Sequence, residues 1–241
     1  MLNHLKQATA RALAVAFLLC ELTLPGIVTP VQATENAPGN WLIGVMSGPV
    51  GNADTSPWLF AVDAQLRHFD IGSGIHEYLL RPAVGVAVNN STRVWLGYGR
   101  FRNRNGTGRT SDENRYWQQV DWSTSDFIQG RLTLRARTEQ RDISFSSDRR
   151  EVLRLMARYE KPLPGFYNSA VFASIEPFFD LNHTDWGGDT GLSQNRLQLG
   201  LGFTVNPQVR LEAGFMHQYF PIEIGPNRAN YLGMLTARWR F

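Results

Sequence analysis

The stretch Tyr231-Leu232-Gly233-Met234-Leu235-Thr236-Ala237-Arg238-Trp239-Arg240-Phe241 decides the fold. Tyr231, Leu235, Ala237, Trp239 and Phe241 share one face at a period of two, while Asn230, Thr236, Arg238 and Arg240 share the other. A strand with hydrocarbon on one side and water on the other is what a transmembrane β-strand requires. The final residue is aromatic, and Tyr231, Leu235, Trp239 and Phe241 together resemble the C-terminal signal that barrel assembly machinery and periplasmic chaperones read in bacterial outer-membrane barrels.

The same alternation recurs upstream. Trp58, Phe60, Val62, Ala64 and Leu66 oppose Asp63, Gln65 and Arg67. Leu132, Leu134 and Ala136 oppose Arg131, Arg135, Arg137, Glu139 and Arg141, and Leu197, Leu199, Leu201 and Phe203 oppose Gln194, Arg196 and Gln198. Ten such segments are expected, at 58–69, 75–88, 91–104, 113–124, 130–145, 151–161, 167–182, 192–204, 208–219 and 227–241. Each is close to the ~9–11 residues that cross a bilayer at a tilt. Short breaks at Asn89-Asn90, 161–166 and Asn206-Pro207 alternate with longer polar ones at 103–112, 142–150, 183–191 and 220–227. Short periplasmic turns and long external loops produce this rhythm.

The expected fold is therefore all-β, a closed antiparallel transmembrane barrel spanning residues 58–241. With both termini in the periplasm the strand number is even, ten or twelve. Trp41–Ser47 is open at this level: an eleventh strand, a piece inside the lumen, or half of a pair that makes twelve. The path of residues 34–57 is undetermined.

The other end of the chain agrees. Lys6 and Arg11 precede an apolar run from Ala12 to Leu19, and Val31-Gln32-Ala33 offers small residues where a signal peptidase cuts. Residues 1–33 are expected to be a secretory signal peptide cleaved near Ala33, which places the mature chain in the outer membrane of a Gram-negative cell. Cys20 is the sole cysteine and leaves with that peptide, so the mature chain forms no internal disulfide.

Composition bounds the function. Beyond Ala33 there are 22 basic and 20 acidic side chains, the totals of 24 and 21 less Lys6, Arg11 and Glu21. So small an excess gives nucleic acid no concentrated basic patch. Only Lys6 and Lys161 among the basic residues are lysines; arginine keeps its charge in any environment and forks onto carboxylates, which suits a crowded polar interior. The mean hydropathy of −0.27 is compatible with a membrane barrel, because alternation cancels the average. A soluble barrel would point the apolar faces inward and leave these charged faces outside.

Several stretches resemble, in order, a family of outer-membrane barrels catalogued as domain of unknown function 2490. They are Leu80-Arg81-Pro82, Trp95-Leu96-Gly97-Tyr98, Glu113-Asn114-Arg115-Tyr116-Trp117-Gln118-Gln119 and Arg137-Thr138-Glu139-Gln140-Arg141, then Glu176-Pro177-Phe178-Phe179, Gln194-Asn195-Arg196-Leu197 and Leu211-Glu212-Ala213-Gly214-Phe215. Pro177 and Phe215 depart from the family's pattern. The resemblance implies a membrane barrel and no particular activity.

Three kinds of site follow. Hairpin geometry gathers Glu113, Arg115, Arg135, Arg137, Glu139, Arg141, Arg154, Arg158, Glu176 and Arg196 inside the barrel, with Asp121 near Arg131. This is either an anion-attracting constriction in a narrow channel or a charge network that fills the lumen and locks its register. Counting from the Asn206-Pro207 turn, His217 falls opposite Asn195 with Ser193 a diagonal away, all three outward near the external rim. A lipid hydrolase would need such a nucleophile and base within hydrogen-bond reach; the plainer alternative is interfacial polar residues at strand ends. Thirdly, Arg100, Arg102, Arg104 and Arg109 form a run that suits lipopolysaccharide phosphates or an ordinary solvated loop. His183, Asp185 and Asp189 share one loop, and His68 and His76 flank another, without ligand spacing. There is no glycine-rich phosphate motif and no Cys/His zinc pattern, so no metal and no cofactor is expected. The expected partners are outer-membrane lipid and lipopolysaccharide.

Overall fold

The computed structural model describes residues 35–52, 55–69, 75–105, 107–166, 168–222 and 227–241; the expected signal peptide lies outside them. Eleven strands follow one another: β1 Glu35–Pro49, β2 Trp58–Phe69, β3 Ile75–Ala87, β4 Thr92–Arg104, β5 Thr110–Phe127, β6 Gly130–Ile143, β7 Arg150–Pro162, β8 Ser169–Asp180, β9 Gly191–Thr204, β10 Val209–Phe220 and β11 Arg228–Arg240. Each pairs antiparallel with the next, and β1 closes the barrel by pairing parallel to β11. Closure gives every strand a hydrogen-bonding partner on both sides, so no edge is left open.

All ten expected segments form strands with bounds within about three residues. The correction is at the N-terminal side. The segment whose path the sequence leaves open is β1, so the barrel begins at Glu35 and has eleven strands rather than ten or twelve. An odd count makes the β1–β11 seam parallel, because ten antiparallel steps reverse direction back to the start. The Glu35 end of β1 therefore stands at the end of the barrel opposite Phe241, and the requirement for an even number does not hold.

Breaks at 88–91, 128–129, 163–168 and 205–208 share one end of the barrel with the 50–57 connection and Phe241; this is the turn end. The strand ends at Phe69 and Ile75, Arg104 and Thr110, Ile143 and Arg150, Asp180 and Gly191, and Phe220 and Arg228 share the loop end. The tightest turn, Ile128-Gln129, has φ of 49° and 61°. Two consecutive positive φ values suit Asn-Gly, and a β-branched residue there is strained. The Tyr159 hydroxyl donates to the Ile128 carbonyl at 2.7 Å and holds the turn. A bulge between Thr124 and Phe127 adds a further offset before the ladder resumes.

Parity places the side chains as the alternation requires. Leu80, Val84, Leu96, Val120, Leu199, Leu201, Phe215 and Leu235 are exposed on the outer face. Glu77, Glu113, Arg137, Glu139, Arg154, Glu176 and Glu212 are buried in the lumen. Outward aromatics stand near both ends: Tyr78, Tyr116 and Tyr231 toward the loop end, Trp58, Trp122 and Trp239 toward the turn end.

Replacing Ile128-Gln129 by Asn-Gly should stabilise the barrel by about 1–2 kcal/mol, the cost of left-handed backbone at a non-glycine residue. Ile128 is exposed and loses no packing. A later urea midpoint for the variant is the expected readout; an earlier one would show that the turn carries no strain.

Candidate functional site: the lumen charge network

Eleven tilted strands ~4.8 Å apart enclose a lumen roughly 22 Å across between backbones. Small side chains would leave it open. Long ones from all walls fill it, and here those are mostly arginine, glutamate and aromatic residues.

Glu139 on β6 is the centre, 1% exposed. Arg154 of β7 donates to its Oε1 at 2.5 Å, and Arg141 donates to its Oε2 through Nε at 2.9 Å and Nη2 at 2.6 Å. Arg137 lies at 3.5 Å and Arg115 of β5 at 3.8 Å. Four guanidiniums thus surround one carboxylate. Arg154 also donates to Glu176 of β8 at 2.7 Å, and Arg135 reaches the same oxygen at 2.7 Å. Arg115 forks onto Glu113 at 2.8 and 2.9 Å. Carboxylates and arginines alternate across β5 to β8, so each buried charge has a counter-charge, which burial demands.

Several lumen arginines also lie over rings. Arg137 covers Trp117 at 4.1 Å, Arg115 covers Phe101 at 3.5 Å and Arg158 covers Phe172 at 3.9 Å. Arg196 sits between Phe178 at 4.5 Å and Trp41 at 5.1 Å. Ring faces attract a desolvated cation, alongside the carboxylates in the case of Arg115, Arg137 and Arg158. Across the lumen, Trp41, Met216, Leu232 and Met234 form an apolar cluster beside the seam, with Ile43 and Phe69 packed on it. A second centre lies toward the turn end. Glu212 of β10 takes Arg158 at 2.8 Å, Arg210 at 3.2 Å and Arg238 at 3.3 Å, and Glu160 takes Arg210 at 3.0 Å.

All ten lumen residues expected from the sequence face inward, and Glu176 stands opposite Arg196. Asp121 stands opposite Arg135, not Arg131, and Glu139 opposite Trp117. The turn at 128–129 and its bulge move the β5–β6 register by four residues from a simple hairpin count. Arg67 and Glu77, bridged to one another, and Trp41 extend the network beyond the expected set. Arg67 and Glu77 were legible as polar positions on consecutive alternating segments. Trp41 was not, because its segment had no assigned path.

The Ser193, Asn195 and His217 cluster does not assemble. His217 pairs with Leu197, and Asn195 with Tyr219. Ser193 is the extra residue of a bulge between Phe178 and Phe179, next to Pro177, which cannot donate to the ladder. The bulge turns its hydroxyl toward Asp180, to which it donates at 2.9 Å; Asp180 is itself clamped by Arg150 at 2.9 and 3.0 Å. His217 lies against Tyr231, ring centres 5.1 Å apart. Ser193 is four residues along β9 from the partner of His217, roughly 13 Å of strand. A nucleophile and its base need ~3 Å.

The molecule is thus a closed all-β barrel with a charge-filled interior and an apolar exterior. The chain belongs to the family described as protein of unknown function (DUF2490), whose model matches residues 39–229. It is similar to an uncharacterised protein of Methylorubrum extorquens, 29% identical over 182 residues, which cover 74% of this chain and 76% of that one. Among solved structures it is similar to the siderophore receptor PirA of Pseudomonas aeruginosa, with 17% identity and a TM-score of 0.31. That match covers 71% of this chain and 32% of the receptor, so the chain spans about a third of that protein.

Glu139→Gln should destabilise the barrel by about 3 kcal/mol or more, since it leaves buried guanidiniums without their counter-charge. Asp142→Asn, which loosens the exposed pair with Arg149 at 2.8 Å, should leave the midpoint close to that of the natural chain. Urea unfolding of the two variants checks the contrast, and equal midpoints would contradict it.

Proposed function

We propose that the protein is an integral β-barrel of the Gram-negative outer membrane that acts as a closed, non-enzymatic membrane component rather than as a solute pore. The inverted distribution of side chains carries this: Glu139 is 1% exposed while Phe215, of opposite parity, is 77% exposed. Water on the outside and hydrocarbon on the inside would demand the reverse. A bilayer outside accepts the aliphatic belt, and the flanking Tyr and Trp residues match the two interfaces. The outward Tyr231, Leu235, Trp239 and Phe241 are available to the assembly machinery and chaperones of the periplasm, and a signal peptide cut near Ala33 would deliver the chain there.

A channel needs a continuous wet path, and wider barrels of ~16–18 strands leave one. Here the Glu139 and Glu176 clusters, the ring-capped arginines and the Trp41 cluster meet across the lumen. A network held largely by counter-charges at hydrogen-bond distance and by ring faces also has little reason to pass ions.

The test is current through a planar bilayer that holds the refolded protein, with insertion shown by flotation with vesicles. A silent membrane is expected from the natural chain. Replacing Arg137, Glu139 and Arg154 together by Ser should open a leak with discrete steps. Discrete steps from the natural chain would overturn the closed lumen, and protein that fails to float would overturn the membrane assignment itself.

A further inference from the structure

Beyond Tyr98, the outer face of β4 changes character. Arg100, Arg102 and Arg104 follow at a period of two, all exposed and all toward the loop end. Arg100 and Arg102 share one carboxylate, Asp112, at 3.0 and 3.7 Å, and their side chains remain 54% and 63% exposed. Three cations with one nearby anion at the rim of an apolar wall form an excess of charge that the lumen network does not use.

Two cross-strand rows start at these arginines. One runs Arg100, Leu80, Ala64, Gly44, Ala237; the next runs Arg102, Tyr78, Leu66, Leu42, Leu235. The first row is small beyond Leu80 and the second is large throughout, so together they make a trough whose wall is the second row. A groove lined by members of both rows is present on this face; Arg100 and Arg102 belong to its lining, which continues past the seam through Leu211 and Leu201 to Phe166. Gly44 forms part of its floor, and a Cβ placed there would meet nothing closer than 3.9 Å. On the other side of the arginines the outer face carries Asn114 and, next to it, Asp142 paired with Arg149 at 2.8 Å, with amides and hydroxyls below them. Asn114 accepts from the Tyr98 hydroxyl at 2.6 Å, and Gln118, Gln140 and Thr138 are linked by bonds of 2.8 to 3.4 Å.

We propose that this face of β1 to β6 binds a phosphorylated glycolipid of the outer leaflet. Arginine forks match phosphate oxygens. Amides and hydroxyls that still have free donors match sugar hydroxyls. The trough takes an acyl chain and removes it from competition with bulk lipid. The depth is consistent, because the arginines stand toward the loop end, Arg102 in register with Tyr78 and Arg100 one outward position beyond the Tyr98–Tyr116 pair, at the aromatic level that meets the headgroups. A free anion would use the arginines but have no need of the trough, and an uncharged lipid would use the trough but not the arginines. The site rests on the membrane reading above.

The experiment refolds the full chain into phosphatidylethanolamine vesicles that carry either a diphosphorylated, multiply acylated disaccharide lipid or the same lipid without phosphates. Mild detergent then extracts the protein, and the co-purified glycolipid is quantified per chain. The phosphorylated form should be retained in preference. Arg100→Gln with Arg102→Gln should lower that retention by about tenfold or more, since each charge-assisted contact is worth at least that factor. Gly44→Leu, which fills the trough from the outer face and leaves the lumen untouched, should lower it too. Arg131→Gln, at the turn end, should leave it unchanged. Equal retention of both lipids, or by the double variant, overturns the site. Loss through competition by inorganic phosphate with no effect of Gly44→Leu overturns the lipid in favour of a bare anion. Vesicle flotation separates the failures: floated protein without selective retention defeats only the glycolipid site, whereas protein that does not float defeats the membrane reading as well.

Discussion

Closure of the hydrogen-bond ladder is the constraint from which the rest of this structure follows. The edge of an open sheet leaves a row of unpaired backbone donors and acceptors, and a sheet that meets itself leaves none. With eleven strands the ring meets through a parallel pair, Gly39 to Ser47 against Leu232 to Arg240. The ring that results is too wide for aliphatic side chains to fill from its walls. Long side chains must do so, and inward parity allows them to be polar. Hence the residues that fill the interior are arginine, glutamate and aromatic rings, and hydrophobicity is left to the outside.

Filling a lumen with charge has an energetic character of its own. Desolvating an arginine or a glutamate costs several kcal/mol, and the attraction between partners offsets that only when geometry and further hydrogen bonds are good. Glu139 meets the condition with four guanidiniums, two of them at hydrogen-bond distances under 3 Å. Aromatic faces add to it for Arg115 and Arg158, which also bridge carboxylates. The network therefore discriminates between registers more than it adds net stability. A slip of one residue along β6 would turn Glu139 outward and bring Gln140 into the guanidinium cluster, and every strand of the ring would carry a similar penalty.

Much of this was legible in the sequence, and the legible part is the part set by local periodicity. Alternation in Trp58 to Leu66 or Leu197 to Phe203 involves only neighbouring residues, so strand spans and the inward set Glu113, Arg137, Glu139 and Arg154 could be read directly. Register is a different matter. It depends on turn geometry and bulges, and the strained pair Ile128-Gln129 and the bulge beside it displaced Asp121 from Arg131 to Arg135. The bulge beside Pro177 acted likewise on Ser193, whose parity predicts an outward hydroxyl and whose structure gives it to Asp180. The β9–β10 register, which pairs His217 with Leu197 and not with Asn195, separates Ser193 from His217 and removes the apparent hydrolase cluster.

By itself the sequence determined that this protein is a barrel built inside out, because a period-two pattern of apolar and charged residues states which face each side chain occupies wherever its strand lies. Only the tertiary structure decided how many strands close the ring, that Glu35–Pro49 is one of them, and which arginine meets which glutamate. Those are properties of pairing between distant segments, and the energy that selects among pairings arises only when turns, bulges and opposite walls are brought together.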